Sequence, residues 1–67
     1  MRYYVNIKAQ SNGDNEVHTS SCSYLPGELN RRYLGDFTNC VPAVAEARRY
    51  YLRANGCYWC SRTCHTS

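Results

Sequence analysis

The sequence predicts a small α+β domain that depends on its cysteines for stability. Three observations predict it: apolar residues alternate over the first nine positions, a stretch from Asn39 to Ala54 carries helical apolar spacing, and five of 67 residues are cysteine. A chain this short buries only about 60% of its unfolded surface, and a core of that size usually needs a staple. Metal, disulfides or self-association can supply one. The cysteine content points to the first two.

Arg2 to Ala9 places Tyr3, Val5 and Ile7 on one side and Arg2, Tyr4, Asn6 and Lys8 on the other. That period of two is the signature of a strand with one buried face. Gln10 to Asn15 reads as a turn, with Asn12-Gly13 supplying positive-φ residues, and Glu16 to Ser20 returns as the second arm of an N-terminal hairpin. Leu25-Pro26-Gly27 then breaks regular structure, Asn30 to Leu34 suits a third strand or a helical turn, and Leu34-Gly35-Asp36-Phe37 reads as an apolar anchor around a turn. The main helix is expected over 39–54. Thr38 or Asn39 can cap it, and Pro42 is tolerable because it falls in the first turn. Cys40, Val44, Ala47 and Tyr51 form its apolar stripe, widened by Ala43, Tyr50 and Ala54, and Gly56 suits a left-handed position just past its end.

A cysteine-rich knuckle follows at once: Gly56-Cys57-Tyr58-Trp59-Cys60-Ser61-Arg62-Thr63-Cys64-His65. Two thiols two residues apart suit a tight turn that aims both sulfurs at one tetrahedral centre. Structural Zn²⁺ sites commonly draw a second ligand pair from a distant segment, and His18-x3-Cys22 offers one at the end of the second strand. The expected metal ligands are therefore Cys22, Cys57, Cys60 and His18, with His65 and Cys64 as lower alternatives for the fourth place. Cys40, on the buried stripe, is expected to be a small core hydrophobe. An odd cysteine count speaks against a fully paired disulfide framework. A thiol-dependent redox or metal-handling protein, or a disulfide-stapled domain without metal, is the alternative. Against redox catalysis, this Cys-x2-Cys follows a helix instead of opening one, so no helix dipole lowers its thiol pKa.

His18-x3-Cys22, Asn30 to Phe37, a short alanine-rich helix and Gly56-Cys57-x2-Cys60 together resemble the zinc-binding N-terminal domain of the Ada DNA-alkylation-repair protein. The resemblance covers residues 17–60 and implies one zinc held by two ligand pairs. His18 stands where that family has a cysteine, the intervening segment is longer, and Cys64-His65 is an addition. The family's methyl-acceptor chemistry is therefore not expected here. The chain also resembles small stand-alone bacterial proteins that end in Gly-Cys-x2-Cys-x3-Cys-His.

The net charge of +3 comes from seven Arg and one Lys against five acids. It permits an anionic partner without demanding one. Arg48, Arg49, Arg53, Arg31 and Arg32 are the candidate nucleic-acid contacts, and a protein partner is the other expectation. Nothing in the sequence matches a phosphate loop or a placed acidic pair, so a non-enzymatic role is expected. With no apolar leader behind Met1 and no run of about 18 apolar residues, the expectation is a cytoplasmic protein outside the membrane.

Overall fold

The computed structural model describes residues 1–66. Its sheet has four strands, β1 (Arg2–Asn6), β2 (Asn15–Thr19), β3 (Arg31–Asp36) and β4 (Ala54–Gly56), in the order β3-β1-β2-β4. One helix, α1 (Cys40–Ala47), packs on one face, and short 3₁₀ turns occupy Glu28–Asn30 and Arg62–Cys64. The architecture is α+β, with the N-terminal hairpin, a single helix among the described residues and a Cys-rich C-terminal segment.

β1 and β2 pair antiparallel with Tyr3 opposite Thr19, Tyr4 opposite His18 and Val5 opposite Val17. Tyr3, Val5 and Val17 are buried with Leu34, Cys40, Ala43, Val44, Ala47 and Ala54, while Phe37, Tyr51 and Cys64 pack around them. Ile7 departs from its expected place: the strand ends at Asn6, and Ile7 stands 41% exposed. The hairpin loop is wider than a two-residue turn. Gln10 N–H donates to the Asp14 carbonyl, and within this loop Gly13 alone adopts positive φ, at 92°. The segment after Asn30 takes the strand option, pairing β3 antiparallel to β1.

The helix is half as long as the sequence suggests. Asn39 caps it, its side chain accepting from Val41 N–H, but it ends at Ala47 in a turn closed by Tyr50 and Tyr51 amides donating to the Ala47 carbonyl. The reason lies in β4. Ala54–Gly56 pairs parallel to β2, Asn15 N–H donating to the Arg53 carbonyl and Cys57 N–H to that of Val17. A helix over 39–54 would leave that edge of β2 unpaired. Tyr50 consequently leaves the apolar stripe and stands 45% exposed. Gly56 takes no left-handed conformation; it is a glycine because a Cβ there would meet the Ser61 carbonyl oxygen at 2.5 Å and Cys64 Cβ at 2.7 Å.

Cys40 departs from its expected role more sharply. It is buried, but it forms a disulfide with Cys64, across 24 residues of chain. The crosslink ties the first turn of α1 to the C-terminal 3₁₀ turn. Closing a loop of this size in the unfolded chain contributes about 3 kcal/mol. Replacing Cys40 and Cys64 together by Ser is expected to lower the unfolding free energy by about that amount in a denaturant titration. The oxidised, unfolded wild-type chain should titrate three thiols, not five. A loss below about 1 kcal/mol would show that the tail is held without the crosslink.

Candidate metal centre

The parallel pairing of β2 and β4 brings the two ligand segments together. Val17 lies opposite Gly56, so His18 and Cys57 emerge side by side where both strands end. Cys22 follows in the turn after β2, with Cys22 N–H donating to the Thr19 carbonyl. Cys60 follows in the turn after β4, where Ser61 N–H donates to the Cys57 carbonyl. The ligand atoms of His18, Cys22, Cys57 and Cys60 all lie within 4.8 Å of one another. This group can hold a metal ion.

The surroundings favour that use. His18 is 1% exposed, and its Nδ1 is buried without a hydrogen-bond partner. Such an atom costs about 1–3 kcal/mol unless something satisfies it, and a metal would. Behind the ring, Glu16 Oε1 lies 3.6 Å from Nε2, too long for a hydrogen bond but on the side where carboxylates orient metal-bound histidines. Each sulfur meets backbone N–H groups: Thr19 donates to Cys60 Sγ at 3.3 Å, Tyr24 to Cys22 Sγ at 3.4 Å, and the amides of Cys60 and Trp59 point at Cys57. These donors stabilise thiolate charge.

The thiols differ in acidity. Burial pushes the Cys22 thiol up to about 12, the negative charge of Cys60 and Cys57 adding to it against the Tyr24 amide. Burial likewise raises Cys57. For Cys60, burial also opposes ionisation, but the His18 imidazole, the Thr19 amide and the Ser61 hydroxyl outweigh it and bring the thiol down to about 6. The protein alone thus favours one thiolate. Ionising all three within one 4.8 Å cluster requires a cation to offset their repulsion, which a divalent metal supplies.

The lower alternatives stand elsewhere. Cys64 is bonded to Cys40, and His65 Nδ1 lies 3.0 Å from the Gly56 carbonyl oxygen, with its ring edge-on to Tyr58. Neither is in the cluster of four. The five candidate arginines divide among separate settings. Arg49 and Arg53 both lie beyond the helix, so they share no helical face, and Arg53 pairs with Asp14 at 3.0 Å. Arg48 Nε donates to the Ala54 carbonyl. Arg49 pairs with Glu46 and lies near the Tyr50 ring, over which Arg32 also sits at 3.8 Å. Arg31 sits over Tyr4.

Sequence reasoning missed the Cys40–Cys64 pair, although cysteine arithmetic could have found it. Three thiols joined to one His fill a four-ligand site and leave two cysteines over, an even remainder. It also missed the buried network in which Asp14 meets Arg53 and Asn55, and Asn55 Oδ1 accepts from Gly56 and Thr66. No family model matches the chain, and comparison with curated proteins and with solved structures finds no match. The likeness to the Ada-type domain therefore rests on the motif residues alone.

Proposed function

We propose that this protein is a small zinc-binding, non-enzymatic binding module. The observation that supports it best is the convergence of one imidazole and three thiols from two distant segments within 4.8 Å. Three sulfurs and one nitrogen are a donor set suited to Zn²⁺, and four protein ligands leave no coordination position for substrate or water. The metal's role in this reading is to lock the ends of β2 and β4 and the loops that follow them. The partner is nucleic acid or another protein. No described helix is long and apolar enough to cross a membrane.

The Cys40–Cys64 crosslink favours a second reading, a domain stapled by disulfide without metal. The two staples are compatible, since they use different cysteines. In a reducing cytoplasm the disulfide would open and leave the metal as the principal staple. Elemental analysis of protein purified without added metal separates the readings. The expected result is one zinc per chain, falling to about zero in a Cys57→Ser, Cys60→Ser variant. Metal-free wild-type protein that stays folded and takes up no added Zn²⁺ supports the disulfide reading instead.

A further inference from the structure

The loops that carry the thiols also carry the most exposed aromatic surface near the cluster. Trp59, the single tryptophan, is 66% exposed and Tyr24 is 59% exposed. Their rings stack at 6.0 Å with planes 20° apart, although they lie 35 residues apart in sequence. Tyr58 packs at right angles to Trp59 at 4.8 Å, and the Arg62 guanidinium covers Tyr58 at 4.7 Å. Burial does not explain this cluster, because the core beneath α1 is built from other residues.

A second aromatic pair lies on the sheet, in the row that ends at His18. Tyr33 and Tyr4 lie opposite each other in the β3–β1 register, and Tyr4 lies opposite His18 in the β1–β2 register. Tyr33, Tyr4 and His18 thus form one row across the sheet. The Tyr33 and Tyr4 rings meet at 5.4 Å, and Tyr33 is 54% exposed. Arg31 ties this pair to the segment after Tyr24: its guanidinium lies 4.9 Å from the Tyr4 ring and donates to the Pro26 carbonyl. The thiol-bearing loops hold no acid: residues 17–27 and 57–66 contain no Asp or Glu, and the latter hold Arg62, while Asp36, on the strand of Tyr33, pairs with the Met1 amine. Glu16, two residues before His18 on the same face of β2, is partly buried behind the imidazole.

We propose that Tyr24, Trp59 and Tyr58, together with Tyr4 and Tyr33, form a stacking surface for single-stranded nucleic acid, with Arg62 and Arg31 facing its phosphates. Flat aromatic faces beside fixed guanidinium groups are what unpaired bases and their backbone require, and stacking of this kind tolerates any sequence. A duplex hides its base faces, so it gains only the phosphate contacts. The proposal rests on the zinc reading in one respect: ligation of Cys22, Cys57 and Cys60 holds the Tyr24 and Tyr58-Trp59 loops in stacking position.

The test titrates protein of measured zinc content with an eight-nucleotide mixed-sequence single strand, as DNA and as RNA, and with the matching DNA duplex. Trp59 emission reports stacking directly. Expected are saturable quenching by the single strands and binding at least tenfold weaker for the duplex. By anisotropy of a labelled strand, Trp59→Ala and Tyr24→Ala should each weaken binding about 5- to 100-fold, and Trp59→Tyr should recover most of the loss. Arg62→Gln should reduce the salt slope by about 0.7. Folding of each variant is checked by amide dispersion. Absence of quenching at low salt by zinc-loaded protein overturns the proposal and leaves the aromatic surface to a protein partner. Equal affinity for duplex and single strand overturns it too. Strand binding by protein that holds no zinc upholds the stacking surface while removing the metal reading.

Discussion

On the zinc reading proposed above, stripping the metal with a strong chelator is expected to collapse the fold, seen as loss of amide dispersion in an NMR spectrum. Magnitudes decide this. Zinc held by small peptide sites contributes about 10–16 kcal/mol near neutral pH, against about 3 kcal/mol for the disulfide. The core that remains is small: Ala43, Ala47 and Ala54 are three of its nine buried residues. Without the cation, His18 Nδ1 stays buried and unpartnered, and the Cys22 and Cys57 thiols, both raised, stay protonated. Cys57→Ser or Cys60→Ser should act as the chelator does, and His18→Ala should do so more mildly by removing one ligand of four. Acid works in the same direction, because protons compete with the metal for thiolate and imidazole. Unchanged dispersion after verified metal loss would show that the core and the Cys40–Cys64 bond suffice.

Gly56→Ala is expected to be the most damaging substitution outside the cysteines and His18. The added methyl would lie 2.5 Å from the Ser61 carbonyl oxygen and 2.9 Å from the Cys64 carbonyl carbon. Both are backbone atoms, so no rotamer change relieves the clash; the tail itself must move. That tail carries Cys60 on one side and the disulfide on the other, and Cys57 N–H pairs with the Val17 carbonyl beside it. Displacing it costs about 3 kcal/mol or more, a fall in Tm of about 10 °C or more for a chain of this size. It should also weaken zinc binding, measured by competition with a chromophoric chelator. A variant with wild-type Tm and zinc affinity would mean that the 56–64 segment adapts freely, contrary to the close packing described above.

Local chemistry in the sequence determined the hairpin, the start of the helix and the membership of the metal cluster. Alternation in Tyr3 and Val5, the Asn39 cap and the turn at Gly13 act over a few residues, so pattern alone reveals them. His18-x3-Cys22 and Cys57-x2-Cys60 were legible for the same reason: tetrahedral ligation restricts spacing within each pair. Tertiary structure decided what depends on distant partners. The end of α1 could not be read from residues 48–54, whose apolar spacing continues, because it is β2 that draws Ala54–Gly56 into a parallel strand. Gly56 looked like a helix terminator, yet its small size serves the approach of Ser61 and Cys64. Cys40 fits an apolar stripe equally well as a thiol or as a disulfide, and only the return of the tail over α1 brings Cys64 to it. The arginines show the same limit. Their number sets the charge, but Asp14, Glu46, Tyr50 and Tyr4 decide where each guanidinium rests, since an ion pair or ring contact forms wherever folding places the partner.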